Sequence, residues 1–428
     1  MHYFSTKGES PHVTFRDAVL NGQPEDKGLY FPSHVPRLED RYIDRLPELS
    51  NEKIAFDVIR PFVAGDIGDD KLFEICCETV NFDFPLVPIT DRISTLELFH
   101  GPTLAFKDVG ARFMSRCLRR FSRAEKTIVI VATSGDTGGA VAAGFYGVEG
   151  VEVVILYPKG KVSKIQELQL TTLGGNVTTL ELRGTFDDCQ AIAKQALADE
   201  ELKVRAHFTS ANSINVARWL PQQFYYFYTL KQWRGEAPVI SVPSGNFGNL
   251  AAGMLANISG LPVKKFIAAC NANDVVPRFL KTSEYEPRPS TATLSNAMDV
   301  GSPSNFVRIL ELFGHEFLDL KEKLEAVSIS DEATAATMRE VFKTYGYSLD
   351  PHGAVGFRAL ADHQVEHPDS RGIFLETAHP VKFDSVNEII GDTGSVPETI
   401  QHLHSKQKRS IEISNDYHAV KDVLMSKV

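Results

Sequence analysis

Residues 239–256, VISVPSGNFGNLAAGMLA, read as an apolar strand, a glycine-rich loop and a small-residue helix in immediate succession. The run 239–242 is rich in β-branched residues, the kind that pack well in a sheet. Gly245 and Gly248 let the backbone curl so that successive N–H groups point inward at a helix N-terminus, a geometry suited to a phosphate dianion. The loop is neither GxGxxG nor GxxxxGK[ST], so the nucleotide fingerprints do not fit. Taken alone it is also readable as a simple turn. Strand, loop and helix in this order favour the cradle.

The same alternation extends outward. Runs 127–132 (TIVIVA), 151–157 (VEVVILY), 177–182 (VTTLEL), 265–269 (KFIAA) and 372–375 (GIFL) are strand-like. Helix-like segments at 139–146, 163–173, 187–200 and 250–259 separate most of them. Apolar strands alternating with helices predict an α/β protein whose parallel sheets are covered on both faces. In such sheets ligands sit beyond the carboxyl ends of the strands. The loop after 127–132 is TSGDTGG, with Ser134, Asp136 and Thr137 opening a helix. Its hydroxyls and free N–H groups suit a carboxylate, and the same residues are good N-caps. Two such sites suggest a ligand with two anionic ends, or a phosphorylated cofactor beside an acidic substrate.

A chain of 428 residues implies two or three domains. With 45 basic and 55 acidic side chains the net charge is −10, which argues against broad binding to nucleic acid or an anionic membrane. No stretch approaches the ~18–20 apolar residues of a membrane helix. MHYFSTKGESPH does not read as a secretory signal. Cys76, Cys77, Cys117, Cys189 and Cys270 form no CxxC pair and read as small hydrophobes in a reduced, cytoplasmic protein. The thirteen histidines include no HExxH and no zinc-like Cys/His spacing, so no catalytic metal is expected. The aromatic run 224–228 reads as core or subunit interface, and the segment beyond 395 as a polar, then weakly amphipathic, tail.

A third feature is ELFHGPTLAFKD, residues 97–108. Lys107 lies between an apolar stretch and a helix-like VGARFMSRCL. A lysine held in apolar surroundings near other cations loses proton affinity and becomes a usable amine nucleophile. Lysines in such runs also snorkel to the surface, and these residues alone leave both readings open.

HGPTLAFKD (100–108), ATSGDTGGA (132–140), SVPSGNFGN (241–249) and TAHP (377–380) together resemble the threonine synthase family, pyridoxal-phosphate enzymes of the tryptophan-synthase-β fold type, fold type II. GLYFP (28–32), YPKGKVS (157–163), SANSINVAR (210–218), TLSNAMDVGSPSN (293–305) and DPHGAVG (350–356) follow in the family's order. The N-terminal piece is similar to that of the longer branch of the family.

The resemblance implies two parallel-type α/β domains behind an N-terminal region at 1–92. The catalytic core would span 93–428, with a large domain at about 93–110 and 206–395, a small one inserted at about 111–205, and a C-terminal tail at 396–428. Lys107 would carry the cofactor and move protons along the substrate. Gly245, Asn246, Phe247, Gly248 and Asn249 would bind the cofactor phosphate, and Thr377 would face the pyridine nitrogen. Ser134, Asp136 and Thr137 would hold the substrate carboxylate or the ring hydroxyl. Lys161, Ser163, Asn212, Ser213, Asn215 and Arg218 are the expected partners of the substrate phosphate. His379 is readable as a hydrogen-bonded structural residue or an acid–base one, and His352 as part of a turn.

The implied reaction converts O-phosphohomoserine and water to threonine and phosphate, by γ-elimination and then hydration at Cβ, in a monomer or homodimer. The alternatives are a phospho-lyase that releases 2-oxobutanoate, and a non-enzymatic binder of pyridoxal phosphate or a phospho-amino acid.

Overall fold

A computed structural model describes residues 1–121, 126–391 and 396–428. Among them are fourteen strands. In chain order these are β1 (His2–Ser5), β2 (Val13–Thr14), β3 (Tyr30–Pro32), β4 (Leu86–Pro88), β5 (Ile93–Glu97), β6 (Thr127–Ala132) and β7 (Val151–Pro158). Then come β8 (Val177–Arg183), β9 (His207–Ser210), β10 (Val239–Pro243), β11 (Lys265–Cys270), β12 (Leu324–Ser328), β13 (Gly372–Glu376) and β14 (Ile411–Ser414).

They form three sheets. A three-stranded antiparallel sheet, β2-β1-β3, lies in the N-terminal region. A six-stranded sheet in the order β12-β11-β10-β13-β5-β4 is parallel except for β4. A five-stranded parallel sheet has the order β14-β8-β7-β6-β9. The fold is α/β, with two parallel-type sheets. β6, β10 and β13 are buried along their whole length, as strands covered on both faces must be.

The segment read as a tail departs from that expectation. β14 pairs in parallel with β8, and helix Tyr417–Met425 places Tyr417, Val420 and Leu424 in the core of the five-stranded sheet. A weak amphipathic pattern becomes structural because a sheet edge is there to receive it. The boundary drawn at 205/206 separates β9 from its partner β6, so the smaller lobe takes in residues on both sides of the expected insert. The boundary at 395 lies outside the described residues. β4, inside the expected N-terminal region, pairs with β5 of the six-stranded sheet. That region also packs its Phe15 against Phe121, ring centroids 6.0 Å apart. Phe224–Tyr228 are fully buried core. Cys76, Cys117, Cys189 and Cys270 are buried, Cys77 is half-buried, and all five are free. Among the described residues no helix is long and apolar enough to cross a membrane.

Candidate active site

The register of the larger sheet decides where the chemistry can be. β13 pairs with β10 on one side and with β5 on the other. The loops leaving these three strands therefore emerge side by side at one edge. β10 feeds loop 244–247, β13 feeds Thr377, and β5 feeds the stretch that ends at Lys107. Strands β10 and β5 stand two spacings apart, about 10 Å. That distance is on the scale of a pyridine ring with a phosphate arm.

Lys107 begins helix Lys107–Phe121. It is fixed from behind, because the Phe106 N–H donates to the Thr377 carbonyl at 2.9 Å, Ala105 bridges Ala378, and the His379 N–H donates to the Leu104 carbonyl at 3.1 Å. The Tyr225 hydroxyl donates to the Phe106 carbonyl. Leu104 holds φ +57°, a left-handed conformation that a branched side chain disfavours and that tertiary contacts must enforce. The Lys107 side chain is 17% exposed, with Nζ 3.8 Å from Asp136 Oδ2. Burial pulls its proton affinity below that of an ordinary lysine, Lys382 and Arg218 push the same way, and Asp136 opposes them.

The residue that sequence reading missed is Lys382. Its side chain is fully buried, with Nζ 2.7 Å from Asp136 Oδ1 and donating to the Thr103 carbonyl at 2.7 Å. Asp136 also accepts from Gln166 Nε2 at 2.9 Å. Burial disfavours its charge, but Lys382 and then Lys107 override that and hold the carboxyl well below the usual carboxylate range. Within the protein Asp136 thus serves two lysines and a glutamine. Ser134 and Thr137 beside it are half-exposed, and their hydroxyls have no protein partner among the described residues.

In loop 244–247 the amides of Gly245, Asn246, Phe247 and Gly248 donate to no acceptor among the described residues. Phe247 caps helix Gly248–Ile258 at φ 62°, which turns the loop into the helix axis. Gly245 is irreplaceable for a different reason. A Cβ there would lie 2.4 Å from Met298 Cα. The Asn246 side chain donates to Ser213 Oγ at 2.9 Å and accepts from Ser304 N at 2.7 Å, so it shapes the loop rather than facing out of it. Asn249 accepts from Tyr226, while its Nδ2 is buried without a partner.

The expected phosphate partners divide. Asn215 is fully buried and donates to the Val19 and Ser210 carbonyls, and Asn212 donates to the Ala132 carbonyl at 2.9 Å. Ser213 accepts from Asn246 and Asn305. Ser163 is a helix cap in a capping box with Gln166. All four make hydrogen bonds within the protein. Lys161 is exposed. Arg218 is buried, with Nη1 on the Ala211 carbonyl and Nε left without a partner among the described residues. Burial lowers its proton affinity to about 10, so it stays cationic near Lys107 with donor capacity unused.

Two histidines resolve as structural. His379 Nδ1 accepts from the Val381 N–H at 3.1 Å, and burial, then His100, lower its proton affinity to about 4. His352 lies in helix Pro351–Glu366 rather than in a turn. Its Nε2 accepts from the Ala297 N–H at 3.2 Å, which leaves Nδ1 to donate to Asp350 at 2.5 Å. Asp350 in turn accepts from the Ala378 N–H at 3.4 Å. Burial, then the Asp350 carboxylate, push Glu376 well up. This network braces the Thr377 turn on one side and the Met298 segment behind Gly245 on the other.

A free-amide cradle, an orphaned donor at Asn249 and a desolvated amine across one strand fit a pyridoxal-phosphate cofactor. The pattern described as "Pyridoxal-phosphate dependent enzyme" matches residues 95–375, and the threonine synthase N-terminal and C-terminal patterns match residues 2–80 and 353–424. The chain is 44% identical to threonine synthase from Escherichia coli K12 over the whole of both chains. The chain belongs to the threonine synthase family. Threonine synthase from Serratia marcescens is 46% identical, covering 94% of this chain and 93% of that one. The crystal structure of the Escherichia coli threonine synthase superposes with a TM-score of 0.94 over all of both chains. That of PLP-bound threonine synthase from Brucella melitensis, 33% identical, gives 0.92 over 100% of this chain and 99% of that one. Maize serine racemase, 15% identical with a TM-score of 0.56, shares the fold alone.

Proposed function

We propose that the chain acts as a threonine synthase, converting O-phospho-L-homoserine and water to L-threonine and phosphate with pyridoxal 5'-phosphate as cofactor. One observation carries this reading. The Lys107 amine is desolvated, its backbone is tied to the Thr377 turn through Phe106, and the same sheet edge presents the amides of 245–248, which have no acceptor among the described residues. When bound, the cofactor supplies an electron sink for negative charge developing on the substrate carbons.

The chain's own residues do the rest. The amides of 245–248, with Asn249 and the helix dipole behind them, take the cofactor phosphate. Thr377 would offer the ring nitrogen of a bound cofactor a neutral hydroxyl in place of a carboxylate, a partner that does not favour its protonation. Ser134 and Thr137 orient the substrate carboxylate at the start of helix Asp136–Phe145. Lys107 holds the cofactor and, once released, takes the protons leaving Cα and Cβ and returns protons at Cα and Cγ. Arg218, short of a partner, receives the departing phosphate, with Lys161 at the rim. Asp136 and Lys382 keep the amine in place. The reaction belongs in the cytoplasm, where five free cysteines stay reduced.

Incubating the purified protein with O-phosphohomoserine tests this. Phosphate and threonine should appear in equal amounts, and K107A should lose both products together with the yellow colour of the bound cofactor. Release of 2-oxobutanoate and ammonia, or binding without turnover, would refute it.

A further inference from the structure

At the opposite edge of the larger sheet, where the strands begin, lies a cluster the reaction does not use. Glu325 is the second residue of β12 and faces the end of helix Pro351–Glu366. His363 lies in the last turn of that helix and His367 is its C-cap. The spacing of four residues puts both imidazoles on one face, with ring centroids 4.4 Å apart. His363 Nδ1 is 2.8 Å from Glu325 Oε2, and one ligand atom from each of the three residues lies within 4.8 Å of the others. Lys265 occupies the other carboxylate oxygen at 3.0 Å, leaving Oε2 free to point at the imidazoles.

We propose that Glu325, His363 and His367 bind one divalent transition-metal ion, zinc, with a water completing the tetrahedron. Two neutral imidazoles and one carboxylate are a borderline-soft donor set, the chemistry zinc selects over calcium or magnesium. Zn–N and Zn–O bonds of ~2.0–2.2 Å require ligand atoms separated by roughly 3.3 Å, so the 2.8 Å His363–Glu325 pair must part slightly and the exposed His367 ring must swing in from within 4.8 Å. His363 is nearly buried, its side chain 7% exposed, while His367 is exposed, so the ion enters from solvent on a prepared floor. The negative end of the helix dipole lies at the same place and favours a cation. On binding, the ion takes the position of the proton between His363 Nδ1 and Glu325. That proton moves to Nε2 of the neutral ring, and the carboxylate stays ionised. The ion would pin the end of the helix to the edge of the sheet, remote from Lys107, as a stabilising clasp with no part in turnover.

The test is titration of the cofactor-loaded protein with zinc chloride by calorimetry, and with cobalt(II) followed by its visible spectrum. One equivalent should bind, the cobalt form should show the intense bands of tetrahedral coordination, and the thermal midpoint should rise. H367A alters an exposed side chain and should weaken binding at least ~10-fold. H363Q should abolish it. H315A, which removes an exposed histidine paired with Glu311, should leave binding intact, and threonine formation should be unchanged in H367A. The proposal is overturned if no equivalent binds at micromolar zinc, if H367A binds as tightly as the parent, or if cobalt gives only weak octahedral bands.

Discussion

Replacing Lys382 by methionine keeps the aliphatic volume and removes one charge from a buried pair. Lys382 Nζ lies 2.7 Å from Asp136 Oδ1, and the two side chains are 0% and 3% exposed. At an effective dielectric of ~20 the attraction is roughly 6 kcal/mol, part of which only offsets the desolvation of both groups. Removing one partner exposes that desolvation in full, so K382M should destabilise the apoprotein by about 3–5 kcal/mol. Lys107, 3.8 Å from the other oxygen, compensates in part. It thereby gains proton affinity, because a repelling cation has gone and Asp136 has turned to it. Two assays follow from this. In urea unfolding, D136N and K382M should each cost several kcal/mol, and the double variant should recover at least ~2 kcal/mol of their sum. In the apoprotein, the pH midpoint for capture of pyridoxal phosphate by Lys107 should move up in K382M. A K382M protein within 1 kcal/mol of the parent, or a strictly additive cycle, would refute the view that Asp136 is held by Lys382.

G245A would place a methyl 2.4 Å from Met298 Cα. It should cost about 1–3 kcal/mol in stability and weaken cofactor binding at least tenfold by absorbance titration, and an unchanged affinity would show that the loop does not cradle the phosphate. His379 titrates near 4 when folded against an ordinary 6.5. Between those values the unfolded chain binds a proton that the folded chain does not, so stability rises with pH across that window, by at most about 3 kcal/mol. H379N preserves a side-chain acceptor for the Val381 N–H and should flatten this acid limb in denaturation midpoints measured from pH 4 to 7; superimposable limbs would contradict it.

How much of this was legible in the sequence depended on whether the signal was local. TIVIVA, VISVP and their glycine loops each carry strand, turn and helix within a dozen residues, so both parallel sheets and both glycine loops could be read directly. HFTS and IEIS, the strands β9 and β14, are only four residues long and mixed in polarity. They become strands because β6 and β8 offer unpaired edges, which no window of sequence contains. The site divides in the same way. Lys107 stands out through the family resemblance of its motif, since its apolar surroundings alone also allow a snorkelling lysine. Lys382 looks like any lysine after a proline turn, and its meaning depends on Asp136, 246 residues earlier. Asn212, Asn215 and Ser163 illustrate the converse. Their side chains are good donors and caps, and sequence cannot say whether a donor will find a ligand or a backbone carbonyl first. Where a polar side chain is buried, backbone carbonyls outnumber ligand atoms. An asparagine there should therefore be read first as a brace, and a buried cation with a donor to spare, such as Arg218 at its Nε, as the group that awaits an anion.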